Sequence, residues 1–507
     1  MPEILQIQNI GMVGLNTDLP PASLPPEAIT SGNNFRAGGG VTVRFGGEAW
    51  LANCPITPKF LYPVDTNTDV WLLFNETSCY SWNGTAFVDV TNGQISAPNA
   101  YKWTGCHLGR IAIFANAGQS PVYWDGALLQ PLNWDESNTW AAKNYKAASI
   151  RSFGQYLLAF DIYDGASHYP DMWHNSHPAD LGSLPRDWDS TRLDSLSNRA
   201  SFGGEGGDNL DAYALRNAVA VYRANGISFL DYRPGTDSIK FSARHVTDVV
   251  RVPNVRSICE VKGSHFLMTH DDLLEHDGNS VTSIAHDTIR KQYARAFNLD
   301  HADSAFALLN TNTKEVWFCI GRSALACDKA FVYSYRDQTW SIRDLPSIQH
   351  AGLGPINSES RTFGTWNETF GTATGTFDQG RTLPTDKTVI GANGIRVLNL
   401  DTEVTDENVL MQVERSNIPL AGLGEVTTLV RAYPRIEGGP VTIRLGSHDF
   451  INGAVRWQPP IDFNPGLQRS IDIRTTGSLH AYRIESNGTQ HVRVAGLDLE
   501  FERAGRR

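Results

Sequence analysis

Positive charge is in short supply. Lys and Arg number 43 against 54 Asp and Glu, a formal net charge of −11 over 507 residues. That balance argues against a surface that grips nucleic acid through its phosphates. Long apolar runs are missing too, and nothing approaches the ~18 consecutive apolar residues of a membrane span. The opening Met-Pro-Glu-Ile has neither the basic start nor the apolar stretch of a secretory leader. Six cysteines, Cys54, Cys79, Cys106, Cys259, Cys319 and Cys327, form no Cys-x-x-Cys pair and no even framework. They are expected to be buried thiols of a protein made in a reducing cytoplasm, where Asn-x-Ser/Thr triplets such as Asn75-Glu76-Thr77 carry no glycan. Nucleotide signatures are lacking: Gly203-Gly204-Glu205-Gly206-Gly207-Asp208 has no Lys-Ser/Thr to follow and sets an acid where phosphate would lie. No Gly-x-Ser-x-Gly elbow occurs, and no Cys–His arrangement stands out.

What the chain does have is a repeated unit: an apolar strand, a break, an aromatic, a turn, another strand. Val70–Phe74 leads to Tyr80-Ser81-Trp82-Asn83-Gly84, and residues 111–114 lead to Val122-Tyr123-Trp124-Asp125-Gly126. Residues 219–222 lead to Phe229-Leu230-Asp231-Tyr232, and 265–269 to Leu274-Glu275-His276-Asp277-Gly278. Residues 316–320 lead to Val332-Tyr333-Ser334-Tyr335, with Trp340 close behind. Such a unit, recurring without the helices that parallel crossovers need, predicts an all-β fold containing a β-propeller of ~5–7 blades.

Three parts are expected. Residues 1–48 read as an extended amino-terminal arm, because Pro20-Pro21 and Pro25-Pro26 break any independent strand or helix. Residues 49–395 carry the propeller, with an insertion near 163–210 where the repeat lapses. Residues 396–507 read as an antiparallel β-sandwich, since Val441-Thr442-Ile443-Arg444-Leu445, Ile471-Asp472-Ile473-Arg474 and the segment from Leu497 to Glu502 alternate cleanly. A composition shift to Gly and Thr marks 361–381. One short helix is predicted over 287–298, capped by Asp287 and buried along Ile289, Tyr293 and Phe297. Its other side carries Arg290, Lys291 and Arg295, candidate contacts for DNA or a partner.

Enzymatic chemistry is not expected. Asp65-Thr66-Asn67-Thr68-Asp69 spaces oxygens as a calcium loop does, yet Val70 stands where the turn glycine belongs, and a hairpin turn is the expectation. His168, His174 and His177 gather near Asp161, Asp164, Asp171 and Asp180, but on a stretch interrupted by Pro170 and Pro178. Asp271, Asp272 and Glu275 are the acidic group a glycosidase needs, at a spacing common in soluble proteins. No catalytic residue, metal or cofactor follows.

The ends of the chain carry a resemblance. Gly14-Leu15-Asn16-Thr17-Asp18-Leu19-Pro20-Pro21, then Leu24-Pro25-Pro26-Glu27-Ala28-Ile29, then Asn34-Phe35-Arg36 and Val41-Thr42-Val43-Arg44-Phe45, resemble the start of tail proteins from short-tailed bacteriophages. Trp173-His174-Asn175-Ser176 with Pro185-Arg186-Asp187-Trp188, and the closing Arg503-Ala504-Gly505-Arg506-Arg507, are similar to the same group. The resemblance implies a tail nozzle or tail-tube protein: a virion structural subunit in a homohexameric ring, docked to a tail adaptor and to fibres or spikes. Phage DNA then passes through the ring's lumen without sequence-specific binding. Asn16, Thr17, Asp18, Leu19, Pro20, Pro21, Leu24, Pro25, Pro26 and Glu27 are the candidate subunit or adaptor contacts. The rival expectation is a glycan-binding or glycan-degrading propeller.

Overall fold

The computed structural model describes residues 2–64, 70–96, 102–235, 239–247, 250–322, 325–356, 387–403, 409–422, 424–451, 453–486, 488 and 490–506. The predicted calcium-like loop at 65–69 and the Gly/Thr-rich stretch at 361–381 lie outside them. Among the described residues, the strands form seven four-stranded antiparallel sheets and two six-stranded ones. The chain is all-β, on a plan consistent with a β-propeller.

The repeated sequence unit has a clear physical basis. Second strands such as Ala218–Arg223 and Glu315–Ile320 are buried at every position, because each sheet packs a neighbour on both faces. Apolar clusters fill each gap between successive sheets, for example Phe74 and Leu72 of the first against Trp103 and Phe114 of the second. The recurring aromatic-Asn/Asp-Gly is a side-chain-closed turn. The Oδ1 of Asn83 accepts from the Thr85 and Ala86 amides at 3.0 and 2.9 Å. Asp125 and Asp277 do the same, each accepting two amides at 2.8 Å.

The structure corrects the predicted organisation in four places. The 163–210 stretch is no insertion between blades: His168–Asn175, paired with Tyr156–Asp164, is the third strand of the third blade, and Asn198–Ser201, paired with His168–Asn175, is the fourth. Only the link between them is long, and it folds back so that Trp188 meets Trp140 edge-on at 5.0 Å.

The boundary at 395/396 is also displaced. It cuts a hairpin, since Lys387–Asn393 pairs with Arg396–Thr402. Those strands and His350–Pro355 form the seventh blade, whose outer strand is Gly47–Asn53 from the start of the chain. The two ends of the propeller segment thus meet in one sheet. The inner strand of this blade is glycine-rich because Trp71 of the first blade lies against it; a Cβ on Gly354 would fall 2.4 Å from Pro63 and 2.8 Å from Trp71.

The first 48 residues are not a free arm. Glu3–Gln8 pairs with the carboxy-terminal strand Val492–Arg506, as does Val41–Arg44, and Ser31–Asn33 pairs with Gln412–Ile418. The amino-terminal segment thus supplies strands to both six-stranded sheets, whose other strands come from 412–506. Pro20, Pro21, Pro25 and Pro26 all fall in the link between Glu3–Gln8 and Ser31–Asn33. The two sheets share an apolar core, including Phe35, Val413, Leu429, Ile443 and Val494, that runs on into the gap between the fifth and sixth blades.

The helix is α1, Arg290–Ala296, shorter than predicted. Ile289, Tyr293 and Phe297 are buried as a stripe. Asp287 does not cap it. Its backbone is left-handed, at φ 58°, and its carboxylate lies beside His286.

Candidate functional site

The candidate contact residues converge on one seam, where the amino-terminal segment crosses α1 and the sixth blade. Asn16 is buried there. Its amide nitrogen donates to the Asp287 carbonyl at 2.8 Å while its oxygen accepts the Leu19 N–H at 3.1 Å. The Thr17 and Asp18 amides both donate to the Thr288 carbonyl, at 2.7 and 3.0 Å. The Asp18 carboxylate accepts the Lys291 N–H, satisfying one of the open donors of the helix start. Pro21 opens a short 3-10 turn, and Leu24 is buried. The carbonyls of Leu24 and Pro25 accept from the Arg415 guanidinium at 2.8 and 3.3 Å. Pro26 and Glu27 are half-buried. Of the ten residues, Leu19, Pro20 and Pro25 are exposed, as are Met12 and Val13 earlier in the segment.

The basic face of α1 is mostly committed within the chain. Arg290 lies 3.4 Å from Asp271 and 3.3 Å from Asp272. The Lys291 ammonium donates to the Asp18 carbonyl at 3.1 Å. Arg295 stays exposed beside the shallow hollow that runs to Asn298 and Arg322. Asp271 and Asp272 are thus both engaged by Arg290, and Asp272 also accepts from Ser283 at 2.8 Å.

The histidines near 168–177 are separated. His168 is exposed against Asp161, His174 is buried on Ser197, and His177 accepts the Leu196 N–H. No metal-like group of His, Cys, Asp or Glu occurs among the described residues. All six cysteines are buried and unpaired. The glycine loop at 203–207 holds a side-chain cation: its carbonyls at Gly203 and Gly207 accept from Arg223.

Two features escaped the sequence reading. One is an ionic joint. Arg36, from the amino-terminal segment, holds Glu315 of the sixth blade at 2.6 Å and Asp401 of the seventh, and lies 4.3 Å over the Phe45 ring. Burial works to raise the Asp401 carboxyl, but Arg36 and Arg343 keep it below the usual carboxylate range. The other feature is the propeller axis, where inner strands enclose a cavity of about 200 Å³. Arg256 reaches across it, donating to the Lys59 carbonyl at 2.9 Å and, more weakly, the Trp103 carbonyl at 3.3 Å. Neither was legible, because partners lie hundreds of residues apart and no local pattern marks them.

No protein-family model matches the chain, and no curated protein matches it. Among solved structures, it is similar to a chain in the crystal structure of the mitotic checkpoint complex. Identity there is 11%, over 71% of this chain and 98% of that one, with a TM-score of 0.35. It is also similar to the N-terminal domain of Nup159, at 7% identity over 71% of this chain and 95% of that one, with a TM-score of 0.38. Likenesses this distant carry no argument about activity or partners.

Among the described residues, no helix is long and apolar enough to cross a membrane.

Proposed function

We propose that this chain is a non-enzymatic virion structural protein: a subunit of a ring, a hexamer, in the tail of a short-tailed phage. The ring extends and closes the DNA ejection channel and docks to the adaptor and to fibres or spikes. The observation that carries the reading is the seam at 14–29. The segment that resembles the phage tail group is pinned by α1 and Arg415, and Leu19, Pro20 and Pro25 are presented at its surface. A prepositioned, proline-stiffened contact loses little conformational entropy when a neighbour docks. DNA would run between subunits, since Arg256 bars the propeller's own axis. The net charge of −11 suits a lumen along which duplex slides without being held.

Cryo-electron microscopy of intact particles tests this. A ring of this chain around an axial channel at the distal tail is the expected result. Density confined to the periphery, or a free monomer that binds or hydrolyses glycan, would overturn it in favour of a carbohydrate-directed propeller.

A further inference from the structure

We propose that the axial cavity of the propeller is a binding site for a small oxyanion, such as inorganic phosphate or a short carboxylate, with Arg256 as its anchor. The cavity takes lining from the inner strands of all seven blades, among them Tyr62, Gly105, Arg151, Tyr213, Ile258 and His350. At about 200 Å³ it holds several waters' worth of space, at roughly 30 Å³ each, so a small oxyanion fits with part of its hydration.

Charge is distributed unevenly along this axis. Arg151 is neutralised in place: Asp211 binds it at 2.6 Å through Nη2 and 2.7 Å through Nε. Arg256 has no such partner. Its Nε and Nη1 donate to backbone carbonyls, its guanidinium lies 4.8 Å over the Phe60 ring, and Nη2 makes no hydrogen bond among the described residues. Among the described residues no ion pair reaches it either. Burial alone pulls its pKa down, to about 9, with no carboxylate to oppose the shift. The guanidinium remains charged at neutral pH, an uncompensated cation in a chain that is acidic overall.

The surroundings add to the cation rather than cancelling it. Lys102 is half-buried nearby, and burial, Arg256 and Lys59 all lower its pKa. Asp303 opposes them but is exposed and forms no ion pair with Lys102. His350 accepts the Leu61 N–H at 3.3 Å through Nδ1, which leaves its proton on Nε2 as a donor. Arg256 is also held rigidly. The Asn254 oxygen accepts the Arg256 N–H at 2.7 Å, and its amide nitrogen ties the loop to the Ala302 and Ala305 carbonyls at 2.8 and 2.9 Å. A fixed planar donor with one nitrogen left free beside a cavity is the arrangement that recognises oxyanions.

The test is a thermal-shift and ³¹P line-broadening titration of the full chain with inorganic phosphate, against sodium chloride at matched ionic strength. The wild-type midpoint should rise with phosphate beyond the chloride control, and the phosphate line should broaden saturably. Arg256→Met should abolish both. Should Arg256→Met fail to fold, Lys102→Met decides: it should weaken phosphate binding several-fold. No phosphate-specific response in the wild type overturns the proposal. So does an undiminished response in Arg256→Met, or in Lys102→Met where Arg256→Met does not fold. The readout is independent of ring assembly, so its failure leaves the tail reading standing.

Discussion

Both carboxylate oxygens of Asp18 sit 3.1 Å from the backbone nitrogen of Lys291, 273 residues further on. α1 is thus capped by a distant segment. The residue just ahead of the helix, Ile289, has no side-chain oxygen to do it. An isolated seven-residue helix is unstable in water, so its order depends on this clasp and on the buried Ile289, Tyr293 and Phe297. Asp18→Ala should destabilise the protein by about 1 kcal/mol, the usual cost of a lost cap. Asp287→Asn should change stability by less than about 0.5 kcal/mol. Urea unfolding of the two variants measures this, and a larger loss for Asp287→Asn would reverse the assignment.

Arg36 joins three parts of the chain through Glu315 and Asp401, both nearly buried. Removing the cation while leaving the carboxylates is the costly change. Arg36→Met should destabilise by about 3–5 kcal/mol. The pH dependence has a definite sign. The Asp401 pKa is lowered on folding, so its contribution is present above the unfolded value and is lost as pH falls through the folded one. Wild-type stability should therefore fall on acidification below about pH 4 more steeply than that of Asp401→Asn. Equal slopes would show that Asp401 is not held ionised by its arginines.

How much of this was legible follows from where the information lies. Blades one, two, four, five and six announce themselves because strand, aromatic and turn are contiguous, the turn Asx-closed in the first, second and fifth, as at Trp124-Asp125-Gly126. The third blade was misread because 22 residues, 176–197, separate its last two strands. The seventh was missed because Gly352 and Gly354 weaken its inner strand's pattern and its outer strand comes from Gly47–Asn53. Prolines in the first 30 residues suggested an arm, while the pairing of Glu3–Gln8 with Val492–Arg506 spans nearly the whole chain and leaves no local trace. Arg256 and Arg36 were invisible for the same reason.

Tyr222 lies between two histidines, its hydroxyl 2.6 Å from His265 Nδ1 and 2.9 Å from His276 Nδ1. His265 donates through Nε2 to the Ala214 carbonyl, so its Nδ1 accepts the tyrosine proton and His276 donates to the tyrosine oxygen. Protonating His265 would set two donors against each other. Burial lowers the pKa of His265 and of His276 to about 4, and that of His174 to about 3. Unfolded histidines bind protons near pH 6.5, so stability contributed by the neutral rings is full above that value and drains away as pH falls towards 4. Urea midpoints measured from pH 7 to 4 should decline across this window, ahead of the carboxylate effect. A flat profile there would show that these rings titrate alike in both states.

Phe35 and Leu19 belong to the same amino-terminal segment, yet they should fail differently. Phe35 is fully buried in the core shared by the two six-stranded sheets. Phe35→Ala should cost about 3–5 kcal/mol, as large-to-small changes in packed cores do. Leu19 is 37% exposed, and Leu19→Ser should alter stability by less than about 0.5 kcal/mol. If the seam is a subunit or adaptor contact, Leu19→Ser together with Pro25→Ser should lower ring formation in native mass spectrometry while the monomer keeps its unfolding midpoint. Phe35→Ala would lower both together. An unchanged ring with Leu19 and Pro25 replaced would move the contact elsewhere on the surface and leave the seam a purely internal joint.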